Sequence, residues 1–430
     1  MRFTHPGHPG KAVRLAYCLN VHPAQTLEGV VEGIRTITLP LRERLAPGRT
    51  FGVGLYLPAS LFEGAKRSSG PLPGSSTFTA ARPVAAALGP VLEANGLDAF
   101  TVNAFPYGDF HAERLKERVF EPTWLEAARA RWTFAVAWLA VSLPRPRTPR
   151  NHLSISTHTG MHSSSARAAN SERGIGEGLG SVVDELEGLT DQRVILALEA
   201  EPRANCGDTR ELRALFDQGI SRARPGAKVR AHLGTCLDAC HAAVEFESAS
   251  EAIANAAANG AGIAKLQVTN AVLLRDPARN HRGREALFAM AEPRYLHQVT
   301  GRGETGLVRA GDLPEVAEAF ARGDPAWSEC DEWRCHFHVP IDQAELDGSG
   351  LETTRAATDA LVALALRSPD SWGLDELHLE IETYTWDVLP APARGSGALI
   401  DSLEREYRHA LTLVSRAGWV EDSGSGALTR

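Results

Sequence analysis

The 430-residue chain has little of what marks several common protein classes. Six cysteines in that length are too few for a disulfide framework, and their spacing contains no paired Cys-x-x-Cys zinc module. Cys236 and Cys240 are read as buried reduced thiols, with a redox pair or a soft metal ligand as the alternatives. Positive charge is also short: 45 Lys and Arg against 53 Asp and Glu give a formal charge of -8, which argues against general affinity for nucleic-acid phosphates. Long apolar runs are missing. The start, Met1 to Pro9, lacks the apolar core of a secretory signal, and the most apolar segment, Trp132 to Leu143, is too short to cross a bilayer. A cytoplasmic protein with no membrane span and no nucleic-acid partner is expected. No long internal repeat is evident, and the glycine run Gly174 to Gly180 follows no strand and does not match the dinucleotide fingerprint. That run reads as a loop leading into a helix.

What is present is the composition of a soluble globular protein, 43% hydrophobic and 23% charged. Short apolar runs recur, each followed by a polar or Gly/Pro cluster and then a segment of helical periodicity, which is the signature of parallel α/β architecture. The strand candidates are Leu15 to Val21, Phe51 to Leu57, Ala99 to Ala104, Leu153 to Thr157, Val194 to Glu199, Val229 to Cys236, Ile263 to Val268 and Leu377 to Thr383. Eight strand and helix pairs favour one closed (β/α)8 TIM barrel spanning residues 1–430 over a Rossmann sheet. The interval between the seventh and eighth strands is longer than one helix needs and contains two more strand-like pieces, Tyr295 to Val299 and Arg334 to Ile341. It reads as an insertion, about 270–350, over the barrel mouth. Ser68 to Ser76 reads as a loop, and Glu421 to Arg430 as a frayed tail.

Active sites of such barrels lie at the C-terminal strand ends, and polar ligand types gather there. The third strand ends in Asn103-Ala-Phe-Pro-Tyr107 and the fourth in Thr157-His158-Thr-Gly160. The fifth ends in Glu199-Ala-Glu201, the sixth in Asp238-Ala-Cys-His241 and the seventh in Lys265-Leu-Gln267. On the eighth, period-two alternation turns His378, Glu380 and Glu382 toward the barrel axis. Inward carboxylates need a metal, a proton or a cation such as Lys265 to answer them. Asp238 and His241, three residues apart, suit a divalent ion such as Zn or Mn, or simply cap a loop. In the insertion, Cys335-His336-Phe-His338 sets two imidazoles on one face of an extended segment. His152, His162, His232, His297 and His378 are left with surface or packing roles.

These residues together resemble the xylose isomerase-like TIM barrels, which include sugar isomerases, sugar epimerases and endonuclease IV. The Glu199, Asp238-x-x-His241 and Glu382 series is similar to the metal-binding core of that superfamily, in the same strand order. Asn103-Ala-Phe-Pro-Tyr and His158-Thr-Gly resemble the third- and fourth-strand motifs of its endonuclease branch, and His336-Phe-His338 is similar to an Asp-x-His ligand pair. The chain departs from that branch at Asn103 and Gln267, where amides replace histidine ligands. More narrowly, Tyr17-Cys-Leu-Asn-Val-His-Pro23, Cys236 to Glu247, Tyr295-Leu-His-Gln298, His336 to Pro340 and Glu382 to Pro390 resemble EboE, the metabolite traffic family of bacterial ebo clusters.

The resemblance implies a metal-dependent isomerase or epimerase acting on a sugar- or cyclitol-like metabolite, with other ebo-cluster proteins as partners. It implies a divalent ion (Zn, Mn or Mg) held by Glu199, Asp238 and Glu382, with Gln267 a weak oxygen ligand and His338 a further ligand. Glu199 and Glu382 are also the expected catalytic carboxylates, with Glu201 in reserve for the fifth strand. His241, His158, Asn103 and His336 are expected to bind substrate. The alternatives are metal-assisted phosphoester hydrolysis, in the manner of the endonuclease branch, and a catalytically silent metabolite-binding protein.

Overall fold

The computed structural model describes residues 1–22, 24–66, 74–110, 112–113, 115–145, 151–165, 171–189, 192–223, 226–346, 348–386, 388–389 and 399–422. Eight parallel strands form the centre: β1 (Ala12–Cys18), β2 (Phe51–Tyr56), β3 (Leu97–Asn103), β4 (His152–His158), β5 (Arg193–Glu199), β6 (Leu233–Asp238), β7 (Ile263–Val268) and β8 (Glu376–Ile381). Each pairs with its neighbour, and β8 returns to pair with β1 in parallel, so the sheet closes on itself with helices outside. The strands are short and almost wholly buried on both faces, as parallel strands between a packed interior and a helical shell must be. The expected (β/α)8 TIM barrel is therefore present.

Strand positions agree with the sequence reading to within a few residues except on β1, where Leu19–Val21 of the expected Leu15 to Val21 strand is a helical turn, and on β6. Ala227–His232 is a helical segment, and the extended run begins only at Leu233. The glycine run also differs from expectation, because Gly174 to Gly180 lies inside the helix Ser171–Leu186. A Cβ on Gly178 would collide with the Trp124 carbonyl, and one on Gly176 would lie 2.8 Å from the Ala223 Cβ. These glycines let neighbouring backbone pack against the helix, a role that overrides their poor helix propensity. Residues 74–76 of the expected Ser68 to Ser76 loop open the helix Gly74–Ala94, and the rest lie outside the described residues. Val420–Glu421 pairs with Arg2–Thr4, an antiparallel extension of β1, while 423–430 of the expected tail lie outside the described residues. All six cysteines are buried thiols. No described helix is long and apolar enough to cross a membrane.

The insertion is a second sheet with its own core. Its antiparallel strands run in the order Gly306–Ala310, Val299–Gly303, Cys330–Val339, Asn270–Arg275, Leu351–Thr353 and Glu345–Leu346. Val272, Leu274, Leu287, Trp333, Cys335 and Phe337 fill a hydrophobic cluster separate from that of the barrel. Arg203, in the loop after β5, ties the two together. Its guanidinium pairs with Glu245 at 2.6 Å and donates to the carbonyls of Val299 and Ala310 at 2.9 and 3.0 Å.

One irregularity of this sheet positions the site. Cys335 pairs with Val272, but the next partners are Val339 and Asn270, so three residues of one strand stand opposite one of the other. The bulge releases His336, Phe337 and His338 from regular pairing and re-aims the two imidazoles at the barrel mouth.

Candidate metal centre

Glu199 and Asp238 end β5 and β6, and Glu382 follows β8 directly. All three are buried, and one oxygen of each lies within 4.8 Å of the others. Among the described residues no Lys or Arg pairs with any of them. Glu382 Oε1 accepts hydrogen bonds from the amides of Asn20 (2.9 Å) and Asn103 (2.5 Å), which fix its direction. Asp238 Oδ1 caps the helix Ala239–Val244 by accepting the His241 N–H at 2.9 Å. The capping role considered for this pair is therefore real, but it uses one oxygen. Asp238 Oδ2 and Glu199 Oε2 are buried without a hydrogen-bond partner among the described residues. Burial, then the charges of Glu382 and Asp238, hold the Glu199 carboxyl well above the usual range; burial, then Glu380 and Asp238, do the same to Glu382. A cation among the three carboxylates would offset both shifts by favouring the ionised forms.

Beside this trio stand three imidazoles whose hydrogen-bond partners assign their tautomers. His241 Nδ1 donates to the Ala200 carbonyl at 2.9 Å and His338 Nδ1 to the Glu382 carbonyl at 3.0 Å. His336 Nδ1 donates to Gln298 Oε1 at 2.5 Å. The Gln298 amide is itself oriented, because its Nε2 donates to Glu201 Oε1 at 3.1 Å and to the Pro202 carbonyl at 3.0 Å. Each ring therefore keeps a bare lone pair on Nε2. Those three atoms face one another at 3.1 Å (His241–His336), 2.9 Å (His336–His338) and 3.4 Å (His241–His338). Burial lowers His336 well below its ordinary pKa and His338 to about 4, so no extra proton sits between them at neutral pH. Metal–nitrogen bonds of about 2.0–2.1 Å at a tetrahedral angle would place neighbouring nitrogens about 3.3 Å apart, close to what is observed. Three converging acceptors with oriented Nδ1–H groups are a donor set that fits a cation.

The two sets meet at Asp238, which lies within 4.8 Å of ligand atoms in both. They border a cavity of about 50 Å³ whose lining combines Glu199, Glu201, His241, His336, His338 and Glu382 with the rings and apolar side chains of Phe105, Phe110, Val119 and Tyr384. Asp238 is not part of that lining. Glu201 is pushed up to about 7 by burial, and it lies 3.9 Å from His336 Nδ1.

The expected site residues divide. Glu199, Asp238, Glu382, His241, His336 and His338 converge, and Asn103 joins them by holding Glu382. His241 and His336, expected to bind substrate, present their Nε2 atoms to His338 as ligands would. Gln267 is buried, but its Oε1 accepts the Cys236 thiol at 3.1 Å and it does not line the pocket. His158 accepts the Gly160 N–H on Nδ1 and packs edge-on against Phe105, without lining the pocket. Asn20 and Gln298 were quoted in the sequence without a role. Only the folded chain shows that one orients a carboxylate and the other an imidazole.

No protein-family model matches the chain, and neither does any curated protein. Among solved structures it is similar to the probable 3-DHS dehydratase AsbF involved in petrobactin synthesis from Bacillus anthracis. The identity is 14%, the match covers 72% of this chain and 90% of that one, and the TM-score is 0.33.

Proposed function

We propose that the chain is a metal-dependent enzyme acting on a small oxygen-rich metabolite, as an isomerase or epimerase of a sugar- or cyclitol-like compound. The observation that carries this reading is the convergence of three buried carboxylates, without a protein cation among the described residues, beside three bare imidazole nitrogens. Glu199, Asp238 and Glu382 would hold a divalent ion, and His241, His336 and His338 can hold another. A bound ion supplies Lewis acidity toward neighbouring hydroxyl and carbonyl oxygens of the substrate.

The chain supplies the rest. Moving a proton between adjacent carbons, or from one face of a carbon to the other, needs carboxyl groups able to both take and give it near neutral pH. Glu201, at about 7, meets that need, and Glu199 and Glu382 flank the same pocket. Asn20 and Asn103 keep Glu382 aimed, while Phe105, Phe110, Val119 and Tyr384 exclude water. The resemblance to EboE supports the same substrate class and a role in metabolite handling alongside other ebo-cluster proteins.

A second reading, phosphoester hydrolysis, is favoured by one feature. Two donor sets sharing Asp238 suit a pair of ions acting on one phosphoryl group. Metal-loaded protein incubated in deuterium oxide with ketoses and inososes, which carry the carbonyl that makes a neighbouring C–H acidic, should introduce a single C–D bond, detected by mass spectrometry, and Glu382→Gln should lose the exchange. Release of phosphate from p-nitrophenyl phosphate without such exchange would move the assignment to hydrolysis, and tight binding without either would make the protein a carrier.

A further inference from the structure

We infer that the centre selects two unlike ions: a borderline transition ion on the three imidazoles and a harder ion on the three carboxylates, with Asp238 serving both. This rests on the metal reading above and adds to it a division of labour.

The donor sets differ in kind. His241, His336 and His338 offer three neutral nitrogens, a set suited to Zn, Fe, Co or Ni, whereas Glu199, Asp238 and Glu382 offer anionic oxygens, a set suited to Mn or Mg. The partners behind the imidazoles preserve that contrast. Two are backbone carbonyls and the third is the Gln298 amide oxygen, so the hydrogen bond of every Nδ1 goes to a neutral oxygen, with the nearest carboxylates (Glu199, Glu201 and Glu382) standing farther off at 3.5–3.9 Å. An ion there is held by nitrogen lone pairs. On the other side the attraction is chiefly Coulombic, because among the described residues the carboxylates have no Lys or Arg partner and two of their oxygens, Asp238 Oδ2 and Glu199 Oε2, have no hydrogen-bond partner.

Neither set is easily extended toward the other's chemistry. Cys240 is within reach of His336 and His338, but its thiol is directed at the Phe337 carbonyl 3.6 Å away. Gln267, the register partner of Asp238 on the neighbouring strand, spends its oxygen on Cys236. Asp238 has one committed oxygen and one bare one, which makes it the element common to both subsites.

The test uses full-length, untagged, metal-stripped protein equilibrated with a chelator-buffered mixture in which free Mn2+ is in large excess over free Zn2+, followed by gel filtration, metal analysis and Mn2+ electron paramagnetic resonance. The expected result is one Zn and one Mn per chain. His336→Ala should lose the Zn and keep the Mn signal, and Glu199→Gln should do the reverse. Gln298→Leu, a milder change checked for folding by circular dichroism, should weaken Zn binding about 10–100-fold and leave Mn binding unchanged. Two ions of one kind, or a single ion lost in both ligand variants, would overturn the inference while leaving a metal centre. Retention of neither ion by the wild-type protein would overturn the metal reading itself.

Discussion

Glu380 and Glu382 lie two residues apart on the same face of the same chain segment, and their surroundings are opposite. Glu380 pairs with Lys265 at 2.6 Å, both fully buried, and the lysine also donates to Ser156 Oγ at 3.0 Å. Room for that carboxylate is made by Gly54 of β2, where a Cβ would occupy the place of Glu380 Oε1. Burial works against the Lys265 ammonium, but Glu380 beside it reverses the effect and raises its pKa. Farther into the barrel Arg14 pairs with Asp98, and His378 stacks on His152 at 4.0 Å. The interior layer is closed by the protein's own cations. At the mouth, Glu382, Glu199 and Asp238 have no such partner among the described residues. Burial of charge is therefore common to both layers, and what singles out the mouth is that compensation has been left to something else.

If that contrast is right, removing charge should have opposite consequences in the two layers. The largest effect is expected from Lys265→Met, which strands Glu380 in the barrel. Loss of one partner of a buried pair costs about 3–5 kcal/mol, measurable by denaturant unfolding of metal-free protein. A loss well under that would mean the interior pair is not what holds Glu380. Glu199→Gln should instead stabilise the metal-free protein by about 1 kcal/mol, the scale of one pKa unit of relieved repulsion. The same variant should forfeit the part of the rise in Tm that Mn2+ induces, since a ligand at 100 times its Kd stabilises by about 2.7 kcal/mol, and keep the part that Zn2+ induces. A destabilised metal-free variant would erase the distinction between the layers.

A last effect, read as a slope against pH, concerns a third solution to the same problem. Glu406, on the helix Leu399–Arg416, is buried, accepts from Thr383 Oγ1 and the Ile341 N–H, and is pushed up to about 8 by burial. A proton answers its charge. The unfolded carboxyl loses that proton near its ordinary value of 4.5, so between 4.5 and 8 the folded state binds more protons. The contribution to stability is fully present below 4.5 and is lost as pH rises to 8, by no more than about 1.4 kcal/mol per pH unit. Glu406→Gln should flatten that part of the stability profile between pH 5 and 8. An unchanged profile would show that the carboxyl is ionised in the fold.

Much of the barrel was legible in the sequence, because strands buried on both faces read as apolar runs and the alternation on β8 declares which carboxylates face inward. Ala227–His232 misled for the same reason: Val229 and His232 are buried whether that segment is extended or helical. Glycines of the helix Ser171–Leu186 looked like a loop because their purpose, close approach to Trp124 and Ala223, belongs to tertiary packing. Glu199, Asp238 and Glu382 could be found because parallel strands bring their ends together by construction. His241, His336 and His338 could be named as site residues, but their convergence as one trio could not be read, since it depends on a bulge across antiparallel strands some sixty residues apart in sequence and on the orientation of Gln298. His158 carries a ligand-like motif, yet Phe105 stands against it.

The separate core of the insertion has a kinetic consequence. Glu199, Asp238 and His241 ride on the barrel, whereas His336 and His338 arrive on the other sheet, so an ion on the imidazoles ties two packing units together. Without it, the insertion is held at this edge by the Arg203 contacts and by side-chain packing, and its amides can exchange by local opening alone. With it, the same opening must also break nitrogen–metal bonds. Occupancy of a site a few ångströms wide would thereby set the lifetime of the closed state across the whole second sheet.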